Sequence, residues 1–272
     1  MTESAPHQDV VRSGGPAPSL DATPSENAEH GQRSQQPGDQ SAAASDGVLD
    51  LLGLLAYAEL VAFFRLSEDA ALAPTLADKA SLGEMAVAEF GHFQLLCGRI
   101  LRMDAQPDEA MLPFVAALDD FHARTTPSDW LEGLGKAYVG DGIAADFYRA
   151  VAELVDPQTQ ALVLDVLADT GHAEFVIARV RAAIEADPPV AGRLALWARR
   201  LVGEALAQAY RVAAQRAPLA RLLARGDQRD PGGQPDGELG DVGRMFVRIT
   251  DEHAQRMAAL GLTGWENAPT SG

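Results

Sequence analysis

Cysteine is almost absent from this chain. Cys97 is the only one among 272 residues, so no intramolecular disulfide can staple the fold. It stands in an apolar helical stretch and reads as a small buried hydrophobe rather than a reactive thiol. No basic start followed by an apolar stretch opens the chain, so a cytoplasmic location is expected. Equally missing is a charge-free run of about eighteen apolar residues, so no membrane span is expected. No period-two alternation bounded by turns occurs, and the predicted class is all-α. Without strands there is also no Gly-x-Gly-x-x-Gly placed to hold a flavin or a nicotinamide.

Aromatic residues make up only 6% of the chain, whereas apolar residues in total reach 47%. Much of that apolar content is Ala, the best intrinsic helix former and one of low bulk, which favours helices packed closely on one another. The formal net charge of -17 argues against a general nucleic-acid or acidic-membrane binder. The charge is unevenly spread. Between Phe175 and Arg225 nine Arg face three acids, Glu185, Asp187 and Glu204. This locally basic 175–225 segment reads either as solvated helix faces or as a contact for a polyanion.

Met1 to about Asp46 is rich in Ser, Gln, Pro, Gly and Ala and has no aromatic residue. It cannot bury enough apolar surface to offset its ordering entropy, so residues 1–46 are expected to be a disordered tail. From Gly47 a helical period sets in and predicts helix 1 to near Ser67, with Glu59 the only acid in its middle. Ala73-Pro74 breaks the chain, and a second helix runs from Leu76 to about Met103. A connection through Pro107 and Pro113 follows, with a short helix over Leu118 to Arg124. Pro127-Ser128-Asp129 resembles a helix start, and helix 3 runs from there to about Val155 with an irregularity at Gly140-Asp141-Gly142. Asp156-Pro157 turns into a fourth helix continuing to about Ala186. A fifth helix spans Val190 to Ala214 and a last one Glu238 to Leu260. The helical domain is expected over 47–264, with a short disordered tail over 265–272.

Glu89 and His92 stand three apart inside an otherwise apolar helix, so both side chains point the same way. Asp169-Thr-Gly-His172 repeats the spacing. In the first hairpin the turn is near Pro74, with Glu59 fifteen residues before it and Glu89/His92 fifteen to eighteen after. In the second it is near Pro157, with Asp141 sixteen before and Asp169/His172 twelve to fifteen after. Each group therefore lies roughly 20 to 25 Å from its turn at about 1.5 Å of rise per residue. Packed as an antiparallel four-helix bundle, the hairpins bring four carboxylates and two imidazoles to one depth. Without cations such a set would protonate or distort the fold, whereas two divalent metals compensate it. Hard oxygen and nitrogen donors suit iron or manganese, and the set matches dinuclear carboxylate bundles. On a helical wheel Asp141 falls with Ala137, Ala144, Tyr148, Val151 and Val155, while Asp146 falls with Arg149 and Glu153. Asp141 is therefore the predicted ligand and Asp146 the exposed acid. Glu84, Glu174, Glu204 and His253 read as surface or supporting groups.

With these residues in view, the chain resembles the MiaE-like branch of the ferritin-like superfamily. That branch is related to the non-haem di-iron tRNA hydroxylase acting on the isopentenyl group of 2-methylthio-isopentenyladenosine. The resemblance covers Gly47 to Ala186 and extends through Leu260. It implies a ferritin-like antiparallel four-helix bundle with additional C-terminal helices. It also implies Glu59 as the helix 1 ligand and Glu89 with His92 as the first Glu-x-x-His. Asp141, in Val-Gly-Asp-Gly, falls where the family has its helix 3 Glu, and Asp169 with His172 falls at the second Glu-x-x-His. Asp at 141 and 169 departs from the pattern by one methylene each. The expected function is that of a di-iron, O2-dependent monooxygenase with an external electron donor and a tRNA partner met through the 175–225 segment. The reading leaves room for a homodimer. The alternative is a di-metal protein acting in iron oxidation or as a non-catalytic scaffold.

Overall fold

A computed structural model describes residues 37–168, 172–224 and 240–263. Residues 1–36, 169–171, 225–239 and 264–272, and with them most of both expected tails, lie outside the described residues. Among the described residues every regular element is helical. Helix α1 covers Pro37–Asp69, α2 Leu76–Leu101, α3 Pro107–Arg124 and α4 Trp130–Gly135. A π-helical turn, Lys136–Gly140, joins α4 directly to α5, Asp141–Ala152. There follow α6 Pro157–Val166, α7 His172–Ala186, α8 Pro189–Gln215, α9 Ala217–Ala224 and α10 Gly240–Leu260.

The helix starts follow from the sequence. Thr75 caps α2 by accepting the Asp78 amide at 3.1 Å. Asp129 caps α4 through the Glu132 amide at 2.9 Å, and the Glu132 carboxylate accepts the Ser128 amide at 2.8 Å in return. This reciprocal pair satisfies amides that no helical carbonyl reaches. Asp156 caps α6 through the Gln158 and Thr159 amides, with Pro157 at the first helical position.

Three boundaries differ from those read off the periodicity. Helix α1 starts at Pro37, ten residues before Gly47. A proline is tolerated in a first helical turn, and Ala42, Ala43 and Ala44 extend the helix by propensity with no apolar period to betray it. Helix α3 is continuous from Pro107 through Pro113 rather than a connection with a short helix. Ala110 and Phe114 on its inner face are buried against the neighbouring helices, and that burial outweighs the bond lost at Pro113. The expected fourth helix is not one helix. It ends at Val166, with Leu167 as its C-cap, and resumes at His172. Leu167 and Ala168 are already non-helical, and residues 169–171 lie outside the described residues.

Helices α1 and α2 form a hairpin closed by six residues, and α1 also packs on α3 and α9. The stretch Ser45–Leu72 is long and apolar enough to cross a membrane by length and composition, although it contains no charge-free run of eighteen residues. Its faces, however, are those of a central core helix. Leu51, Leu52, Leu55 and Ala56 are fully covered by protein. Close approach is built in at Gly53, where an added Cβ would lie 2.1 Å from the Ala110 carbonyl oxygen of α3.

The core falls into two clusters. One takes Leu66 of α1, Leu82, Met85 and Ala86 of α2, Val139 and Ile143, and Val176 of α7. The other takes Leu51 to Ala56 of α1, Leu96 and Ile100 of α2, Tyr148 and Val151 of α5, and Val163 and Val166 of α6. On α1 and α2 a polar level lies between the two, with Glu59 on α1 and Glu89 and His92 on α2; Asp141 at the start of α5 lies between Val139 and Ile143 of the first cluster, and His172 opens α7.

Gly53→Ala is expected to lower the unfolding free energy by about 1–3 kcal/mol, because the α1–α3 contact has no room for a methyl group. Urea denaturation measures this; an unchanged midpoint would mean that the two helices do not approach so closely.

Candidate metal centre

Glu59 is only 8% exposed, and Glu89 and His92 are half-buried. His92 Nδ1 lies 3.4 Å from Glu59 Oε2 and 3.5 Å from Glu89 Oε2. One ligand atom from each of the three residues lies within 4.8 Å of the others. These are ion-pair distances without hydrogen-bond alignment, for Glu59 Oε2 and His92 Nδ1 are buried and have no hydrogen-bond partner. A buried carboxylate oxygen and a buried imidazole nitrogen left unpaired are costly unless something outside the protein satisfies them. A cation does so, and the donor set of two carboxylates and an imidazole fits a hard divalent metal.

The electrostatics of the protein alone point the same way. Burial pushes the Glu59 carboxyl up to about 9, aided by the neighbouring Glu89. Burial also acts on Glu89, but its contacts with protonated Glu59 and with His92 hold it below its ordinary value. The two carboxyls lift His92 to about 10 against the opposing effect of burial. Without a metal the triad therefore settles as neutral Glu59, anionic Glu89 and cationic His92, two protons standing where a cation would.

The other expected ligands gather about the same space. Glu59, Glu89, His92, Asp141 and His172 all line one cavity of about 260 Å³. Part of the Asp141 surface is open, yet the residue lines this cavity and its neighbour and protein crowds its carboxyl closely. Burial therefore pushes its carboxyl well above the ordinary range, with the Glu89 charge adding to the effect and Lys136 opposing it. Asp169 lies outside the described residues, three positions before His172. Five of the six expected ligands thus share a cavity, and three of them form a tight cluster.

Asp141 opens α5 immediately after the π turn, the irregularity expected at Gly140-Asp141-Gly142. Such turns carry an extra residue and redistribute the side chains of the turn itself. Gly142 has its own reason: an added Cβ would lie 2.4 Å from Arg256 Nε. Asp146 is not the solvated acid the helical wheel suggests. It pairs with Arg149 at 3.2 Å and with Arg256 of α10, and both arginines line the metal cavity. Arg256 lies more than a hundred residues away in sequence, so no local pattern could show this. Glu84 and Glu174 are exposed, as expected.

Sequence reasoning did not single out two further groups. Tyr148 lines both the metal cavity and its neighbour, and burial raises its phenol, with Glu59 and Asp141 adding to the effect. His122 lines the neighbouring cavity; burial lowers it to about 3, helped by Lys136 and Arg65, and its Nδ1 is unpartnered. The basic segment, by contrast, is largely tied into the fold. Arg179 pairs with Asp78, Arg193 with Asp129 and Glu132, Arg211 with Asp120 and Arg216 with Asp50. Arg181 and Arg200 donate to carbonyls of Ala259 and Arg124.

In comparisons with known proteins, a family model described as "Ferritin-like domain, actinomycetes" matches residues 42–226. No curated protein matches the chain.

In chelator-treated protein, Glu59→Leu is expected to raise the melting temperature, because an apolar side chain replaces an unpaired buried carboxyl. A gain of about 1 kcal/mol corresponds to about 2–4 °C at this size. A fall of several degrees would show the carboxyl to be satisfied by the protein itself. His122 gives a pH dependence. Its folded value lies below its unfolded one, so the unfolded chain takes up the proton first; stability is undiminished above pH 6.5 and is lost as pH falls toward 3. Urea midpoints of wild type and His122→Asn should therefore diverge between about pH 7 and about pH 4.5, with wild type losing more. Parallel losses would refute the assignment.

Proposed function

This chain belongs to the actinomycete ferritin-like domain family, and from that premise we propose that it is a di-metal protein acting as an O2-dependent monooxygenase. The observation that supports this most is the cluster of Glu59, Glu89 and His92, with unpaired buried donor atoms at the level where the bundle core is interrupted. Glu59, Glu89, His92, Asp141 and His172 would hold the metals, with Asp169 as the sixth ligand. Two iron ions, or manganese, would supply O2 activation there, with two electrons from an external donor and two protons, giving hydroxylated product and water.

The chain's own residues set the conditions. Along α1 and α2 the two apolar clusters flank Glu59, Glu89 and His92 on either side. Arg149 and Arg256 offset the acid excess, and the Asp146 carboxylate holds both guanidinium groups in place. Tyr148, kept protonated, stands at the boundary between the metal cavity and the apolar space beside it, where its O–H can donate to an oxygen atom. The MiaE-like resemblance supports a tRNA nucleoside carrying an apolar modification as substrate, in the cytoplasm. Among the basic 175–225 residues, such a partner would compete with the ion pairs already described.

Protein purified under air should carry about two iron ions per chain and absorb in the near ultraviolet. Glu59→Ala and His92→Ala should each lose the metal and the thermal stabilisation it gives. Oxygen-dependent product should form only with metal, reductant and O2 together. Full metal content with iron oxidation but no organic product would favour the iron-oxidising alternative, and protein that binds no metal would leave only a scaffold.

A further inference from the structure

A second cavity, of about 150 Å³, adjoins the metal centre. It lies between α1, α3, α5, α8 and α10, and its walls are chiefly apolar: Leu54, Phe121, Phe147, Val212 and Ile249. Ala58, Asp141, Ala144 and Tyr148 line both cavities, so the two spaces meet at the level of the acids. Apolar cavities of roughly this volume take up molecules the size of benzene.

Two buried polar atoms without partners set this space apart from an apolar packing defect, His122 Nδ1 and Gln208 Oε1. Gln208 of α8 lines it and is only 6% exposed. Its Nε2 donates to Asp120 Oδ2 at 3.1 Å, which fixes the amide and leaves Oε1 as the other end. That Oε1 is buried and has no hydrogen-bond partner. An acceptor so placed costs free energy until a donor reaches it, and because Gln208 lines the cavity a small shift of its side chain would open Oε1 to a donor held there.

We infer that this cavity is a ligand site for a neutral, single-ring-sized apolar molecule bearing one O–H or N–H group, which donates to Gln208 Oε1. The apolar walls reject a charged ligand, whose desolvation they could not repay. The wall shared with Asp141 and Tyr148 brings the far end of such a ligand to the metal centre. As the substrate pocket of the oxygenase, the site rests on the reading given above; as a ligand site, it stands on Gln208 and the cavity alone.

Benzyl alcohol and toluene are suitable probes, since they share a ring and differ in the hydroxyl. Both are titrated into the full chain by ligand-observed NMR, and Co2+ is titrated separately by its visible spectrum. Benzyl alcohol should bind saturably and more tightly than toluene, on the order of tenfold, the worth of one buried hydrogen bond. Ala209→Phe fills the cavity and should abolish both while leaving Co2+ binding intact, which also shows that the variant is folded. Gln208→Leu should keep toluene binding and erase the preference for the alcohol. Saturable binding of neither probe would mean that the space holds only water and would overturn the inference. So would binding that survives Ala209→Phe, or a preference that survives Gln208→Leu. Probe binding without Co2+ binding would support the ligand site and remove the metal reading.

Discussion

The structure depends on one constraint: a polar level has to be carried through the middle of an apolar helical core. Glu59 is the most demanding member, because it is nearly fully covered, and it stands on the helix that the rest of the bundle packs around. Above and below it the two apolar clusters supply the burial that drives folding. Glu59, Glu89 and His92, from α1 and α2, face one another at ion-pair distance, and Asp141 and His172 line the same cavity. Their charges cannot all be present without a compensating cation. The protein alone answers with protons on Glu59 and His92, and the unpaired atoms that remain mark where a metal would be bound. Burying these groups thus costs stability in the protein alone.

The arginines belong to the same balance. The chain is strongly acidic overall, yet α7, α8 and α10 send guanidinium groups to acids on other helices. Asp50, Asp78, Asp120, Glu132 and Asp146 all receive one. Asp78 and Asp50 are almost completely buried, so these pairs do more than decorate the surface. They fasten the C-terminal helices onto the bundle, and through Asp146 and Arg256 they reach the wall of the metal cavity. A basic stretch that reads as a polyanion surface in one dimension is mostly an internal set of clasps in three.

Much of the fold was legible because its signals are local. Caps at Asp129 and Asp156, the break at Pro74 and the apolar period of α1, α2 and α8 each follow from neighbours within a turn or two. The start of α1 and the continuity of α3 were not, since Ala propensity and tertiary burial decide them without leaving a period. At the site, Glu59, Glu89 and His92 could be matched by counting residues from a turn, and they do come together. Asp141 was chosen over Asp146 by its helical face, and it does line the cavity. The role of Asp146 was hidden because its partner arrives from α10. Tyr148 and His122 carry no motif; what distinguishes them is the space they border, which exists only once α8 has closed over α3 and α5.

The π turn at Lys136–Gly140 has a genetic corollary. It accommodates one residue more than an α-helix of the same rise, immediately upstream of Asp141. Losing a single codon there would restore ordinary winding over the same rise, so the aspartate and the rest of α5 would keep nearly their present facing while the side chains of the turn itself are redistributed. An in-frame indel in this turn would thus be absorbed locally, leaving Asp141, Asp146, Tyr148 and Arg149 on the faces they now present.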